Sequence, residues 1–102
     1  MITVHAKNFT LTDDDKEKVE AKAEKLLHLA KDMSDESTRI RVEFELIAPR
    51  KDLILGTLTI HLPHHDVLRA EAKEEKNVLT VMDRLEKEIR PQIEKHKSKK
   101  QM

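Results

Sequence analysis

Apolar side chains recur at every second position in four stretches of this chain and at every third or fourth position in two others. That alternation of periods leaves few folds open. Residues Ile2 to Lys7 place Ile2, Val4 and Ala6 on one side and Thr3, His5 and Lys7 on the other, as in a strand with one buried face. Thr12 then offers an N-cap, with Asp15 three residues on and acids throughout the first turn, where they face the positive end of the helix dipole. Val19, Ala23, Leu26 and Ala30 follow at helical spacing, predicting a helix that ends near Asp32.

From Thr38 to Ile47 the period returns to two: Ile40, Val42, Phe44 and Leu46 point one way, and Arg39, Arg41, Glu43 and Glu45 the other. Ala48-Pro49-Arg50-Lys51 reads as a turn, and Leu53 to Leu62 as a third strand with Leu58, Ile60 and Leu62 inward. Gly56, the only glycine, is expected to mark a bulge in it. Pro63-His64-His65-Asp66 makes the next turn, and Val67 to Lys73 a fourth strand. Asn77 caps a last helix whose stripe is Val78, Met82, Leu85, Ile89 and Ile93. Pro91 falls inside it and is expected to remove one backbone hydrogen bond and kink the helix. The order β-α-β-β-β-α, with one apolar face per strand, predicts an α+β domain: a four-stranded sheet with both helices on one face. Residues 1–96 are expected to form that single domain and residues 97–102 a flexible basic tail.

Charge is sorted in space. Lysine plus arginine and aspartate plus glutamate each number 20, so the chain is formally neutral. Yet Arg84, Lys87, Arg90, Lys95, Lys97, Lys99 and Lys100 crowd one end, diluted there by Glu86, Glu88 and Glu94 alone. In the first helix Lys18, Lys22 and Lys25 share one sector and Glu17, Glu20 and Glu24 another. If both helices cover the same sheet face, their basic stripes would meet over the groove between them and track a phosphate backbone. The bland alternative is a pair of solvated helices laced by i,i+4 Lys/Glu pairs.

Other chemistries find little support. Without cysteine there is neither a disulfide framework nor thiol chemistry, and no apolar run approaches the ~18 residues needed to span a bilayer. No nucleophile elbow, glycine-rich phosphate loop or isolated carboxylate pair is present, so an enzyme is not expected. His61, His64, His65 and Asp66 crowd one turn, but adjacent histidines in a proline-led turn suit a solvated loop better than a metal site. His5 and His61 are assigned to the open sheet face, and His28 and His96 to helix interfaces. No metal or cofactor is expected. Phe9 and Phe44 are the only aromatics, and Phe44 faces inward, so base stacking on an exposed sheet is disfavoured.

Several strings, in order and along nearly the whole chain, are similar to one family. These are Lys22-Ala23-Glu24-Lys25-Leu26, Leu68-Arg69-Ala70-Glu71-Ala72, and Asp83 followed by Gln92-Ile93-Glu94-Lys95-His96-Lys97-Ser98-Lys99. They resemble the ribosome hibernation-promoting factors, the bacterial ribosome-associated inhibitors also called sigma-54 modulation proteins, in their short form. The resemblance implies a fold similar to the double-stranded-RNA-binding domain with an extra first strand. It implies a cytoplasmic inhibitor of stationary phase or stress, monomeric off the ribosome, that fills the mRNA and tRNA channel of the small subunit. By position it assigns rRNA contacts to Lys22, Lys25, Lys95, Lys97 and Lys99; the charge pattern adds Arg84, Lys87, Arg90 and Lys100. With Lys22, Lys25 and Lys95 read as solvent-facing, their reversal to glutamate is expected to abolish ribosome association and leave stability intact. The chain departs from the family where Asn77-Val78-Leu79-Thr80-Val81-Met82-Asp83 lacks a usual tyrosine, and at Glu88 and Pro91 where cations are common. Those losses keep open a protein-interaction module that has retained the fold without the ribosome.

Overall fold

The computed structural model describes residues 2–31, 38–62, 66–75 and 77–100, with the backbone alone at 31, 74, 75 and 97–100. The elements are β1 (Ile2–Lys7), α1 (Asp13–Lys31), β2 (Arg39–Ala48), β3 (Leu53–His61), β4 (Val67–Glu75) and α2 (Val78–Lys100). The order is the expected β-α-β-β-β-α. The four strands form one sheet in sequential order, with β1 parallel to β2 and the other neighbours antiparallel. A parallel β1–β2 pair needs a crossover, and α1 supplies it. α2 covers β3 and β4, and α1 lies beside it over β1 and β2.

Local chemistry fixes both helix starts. The Thr12 hydroxyl accepts from the Asp15 amide at 3.1 Å, with Asp13, Asp14 and Asp15 in the first turn. Asn77 Oδ1 accepts from the Leu79 amide at 2.9 Å and the Thr80 amide at 3.4 Å. Each cap satisfies N–H groups that a helix cannot pair internally.

The core is the inward register of the strands closed by two helix stripes. Ile40, Val42, Phe44, Leu58 and Ile60 are buried beneath Val19, Ala23 and Leu26 of α1 and Val81, Met82, Leu85, Ile89 and Ile93 of α2. The turn after β2 is a 3-10 turn at Pro49–Lys51, closed by Asp52 at a left-handed φ of 52°.

One local expectation is corrected. The bulge lies in β2, where the register shifts between Leu46 and Ala48, so that Ile47 is unpaired and 39% exposed. Gly56 instead sits in regular register between Phe44 and Ala72. Its missing side chain makes room for α2: a Cβ there would collide with Val81 Cγ1 and lie 3.1 Å from Leu85 Cδ1. α2 runs as one helix through Pro91 and on to Lys100. The Pro63-His64-His65 part of the third turn lies outside the described residues; its closing bond, from the Leu62 amide to the Asp66 carbonyl, is 2.8 Å.

Candidate nucleic-acid interface

Helical geometry decides which flank each cation occupies. On α1, at 100° per residue, Lys18, Lys22 and Lys25 fall on the flank facing α2, and Glu17, Glu20 and Glu24 on the flank facing away. On α2, Asp83, Glu86 and Arg90 fall on the flank facing α1. Arg84 and Lys95 fall on the opposite flank, over β4, with Lys87 near the crest.

The groove between the helices is therefore not a continuous basic stripe. Lys22 Nζ hydrogen-bonds Asp83 Oδ1 across the groove and stands 3.7 Å from Glu86 Oε2. Its side chain is only 33% exposed. The hydrogen bond to Asp83 raises the Lys22 ammonium above lysine's ordinary value of 10.5; burial partly offsets this, and the charges of Asp83 and Glu86 add to the rise. Glu86 also accepts from Arg90 Nη2 at 2.8 Å. Lys22, read from the sequence as solvent-facing, is thus a half-buried clasp between the helices. The same sector sorting that suggested a phosphate track serves first to pair α1 with the acidic flank of α2. Lys18 is likewise engaged, 3.0 Å from Asp14, whose hydrogen bond and charge raise its ammonium.

Of the other assigned cations, Lys25, Arg84, Lys87, Arg90 and Lys95 are exposed on the helical layer. Lys97, Lys99 and Lys100 lie on the last turn of α2, and their side chains are outside the described residues. His96, near that end, packs toward the β3–β4 turn with Nε2 3.8 Å from Asp66 Oδ2. From there the helix backbone runs about 6 Å further at 1.5 Å per residue. The candidate surface thus runs from Lys25 on α1, over Lys87 and Arg90, to Lys95 and the end of α2.

Two contacts were not legible in advance. One is the Lys22–Asp83 pair, whose only signal was an acid among cations on α2. The other is Gln92, whose Nε2 donates to the Arg69 carbonyl at 2.8 Å while its Oε1 accepts from the Arg69 amide at 3.3 Å. The open sheet face carries Arg41 and Arg69, 2.8 and 3.0 Å from Glu43 and Glu71 two residues along their own strands. Among the described residues no three His, Asp or Glu side chains gather as a ligand set for a metal, and no helix is long and apolar enough to cross a membrane. His64 and His65 lie outside that description.

Comparison with known proteins accords with this architecture. A sequence search of curated proteins returns no match. Among solved structures, the crystal structure of the Thermus thermophilus Protein Y N-terminal domain superposes with a TM-score of 0.70 at 19% identity, over 92% of this chain and 94% of that one. At that identity the likeness concerns the fold. The sequence model of the sigma 54 modulation protein / S30EA ribosomal protein family matches residues 2–101, and with essentially its whole length inside that match, the chain belongs to this family.

Proposed function

We propose that this chain, a member of a family of ribosome-associated modulation factors, silences translation by occupying the mRNA and tRNA channel of the small subunit. The observation that carries the reading is the run of exposed cations on the helical layer: Lys25 on α1 and Arg84, Lys87, Arg90 and Lys95 on α2, continued in sequence by Lys97, Lys99 and Lys100. Phosphates neutralised by these side chains release counterions, which supplies affinity without base readout. The two-layer domain beneath them is held by a continuous core and keeps the cations on one rigid surface. Blockade is then steric: the body of the domain lies where mRNA and tRNA would lie. Lys22 contributes indirectly, by fixing α1 against α2.

Co-sedimentation with vacant ribosomes and separated subunits across a salt series tests this. With six to ten phosphate contacts, affinity falls by roughly 10³–10⁵ between 50 and 200 mM salt. Small-subunit binding with that dependence, competed by tRNA and mRNA and lost in Lys25→Glu/Lys87→Glu/Lys95→Glu, is the expected result. Binding that ignores salt, or survives the triple reversal, refutes the proposed surface.

A further inference from the structure

The sheet order leaves β4 at an edge, and the β3–β4 register runs without a shift from His61↔Val67 to Leu53↔Glu75. In an antiparallel pair, alternate residues turn both main-chain groups away from the partner strand. Both main-chain groups of Arg69 bond the Gln92 side-chain amide on α2, so Arg69 points outward, and by parity so do Glu71 and Lys73. Gln92 closes the edge at Arg69 and leaves the next two outward positions open. Among the described residues no hydrogen bond engages the main-chain groups of Glu71 and Lys73 on that side. Here α2 also stands off from the strand, across an open cleft of about 580 Å³ lined by Glu71, Ala72, Lys73, Arg84, Lys87 and Glu88. A further strand therefore has access to the edge at 71–73 without displacing α2.

The order of charges on this segment decides which strand fits. Glu71 and Lys73 are both exposed and, two residues apart, share the open face of the sheet, while Ala72 between them faces α2. A second copy of β4, antiparallel and related by a two-fold axis, has three registers in which these outward groups pair with one another. The registers centred on Glu71 or on Lys73 set like charges directly opposite, which destabilises a strand pair. The register centred on Ala72 sets Glu71 opposite the second copy's lysine at position 73, and Lys73 opposite its glutamate at position 71. Both are hydrogen-bonded pairs, with Cα atoms about 5.5 Å apart. Ala72 then meets its own copy across the axis on the helix side, where a methyl group leaves room between the two α2 helices. We infer that β4 pairs with β4 of a second copy of this chain about a two-fold axis at Ala72, joining two four-stranded sheets into one. A uniformly acidic or basic peptide would satisfy one of Glu71 and Lys73 and oppose the other; β4 itself satisfies both. Charges that shield an edge from most strands thus admit this one, in one register, through a self-complementary contact. The inference does not depend on ribosome binding, and it departs from the monomer that the resemblance implies.

So few main-chain bonds make a small interface of the transient class, and the test is therefore sedimentation equilibrium and ¹⁵N NMR of the full chain at concentrations up to about 1 mM. The mean mass should rise towards that of two chains while the Glu71 and Lys73 amides shift and gain protection from exchange. Lys73→Glu and Glu71→Lys each set like charges opposite in this register and should each weaken association at least about tenfold. The exchange Glu71→Lys/Lys73→Glu restores unlike pairs and should return association to within about threefold of the parent. All three variants change exposed side chains only, and Lys25→Glu, away from the edge, should leave association unaltered. A chain that stays monomeric at the highest concentration, association that ignores either single reversal or is lost in the double exchange, or shifts confined to another surface would each overturn the inference. So would a monomer whose Glu71 and Lys73 amides move only on adding an octapeptide of alternating threonine and glutamate, or octauridylate RNA, since the edge would then belong to a foreign strand.

Discussion

Reversing Lys22 separates a clasp from an RNA ligand. In the folded chain this ammonium hydrogen-bonds Asp83 and lies 3.7 Å from Glu86, so Lys22→Glu both loses the pairing and sets a third carboxylate beside two others. With Lys22 33% and Asp83 55% exposed, solvent screens the pair, and its loss alone is worth about 0.5–1 kcal/mol. Two like charges at 4 Å repel by up to roughly 4 kcal/mol at an effective dielectric of 20, and most of that is relieved by the new side chain swinging into water. A net destabilisation of about 1–2 kcal/mol follows, or roughly 5–15 °C in Tm at 4–8 °C per kcal/mol for a domain of this size. Thermal unfolding followed by circular dichroism reads this directly. The loss should shrink in 1 M salt, and the swap Lys22→Glu/Asp83→Lys should recover most of it. Lys25→Glu, on an exposed position, should stay within about 0.5 kcal/mol of the parent. The pairing also has a pH signature. Because the folded-state value of Lys22 is raised above 10.5, its contribution is complete below that pH and lost as pH climbs through the raised value. A Lys22→Glu variant as stable as the parent, with no rescue by the swap, would refute the clasp and return Lys22 to the list of free phosphate ligands.

Two further outcomes follow from packing. Gly56→Ala drives a methyl group into Val81, whose β-branched side chain has little rotamer freedom on a helix. It should cost about 1–3 kcal/mol and be relieved by Val81→Ala in a double-mutant cycle, whereas an unchanged or raised Tm would mean α2 can shift freely. Gln92→Leu removes both bonds to Arg69 and should lower stability by about 1 kcal/mol while hydrogen exchange at the Arg69 amide rises tenfold or more; unchanged exchange would show that the amide clasp does not guard the edge.

The sequence by itself determined the elements, their order and the inward faces. Each follows from short-range pattern: period two in Ile40, Val42 and Phe44, helical spacing in Leu85, Ile89 and Ile93, and caps at Thr12 and Asn77 whose chemistry acts within three residues. Family membership was legible for a related reason, since the matching strings are local. What remained hidden are contacts between positions far apart in the chain. Nothing near Gly56 announces that Val81 needs its space, so a bulge was the natural local reading, while the real bulge at Ile47 arises from pairing with β3. Angular sorting correctly put Lys22 among cations, yet its partners are 61 and 64 residues away and are decided by which flank of α2 turns toward α1. Likewise Gln92 reads as one more polar residue until the sheet order makes β4 an edge beside it. Periodicity says which side of an element is wet. Only the packing of α2 against α1 and β4 decides whether a charge on that side meets water, a carboxylate or an unpaired strand.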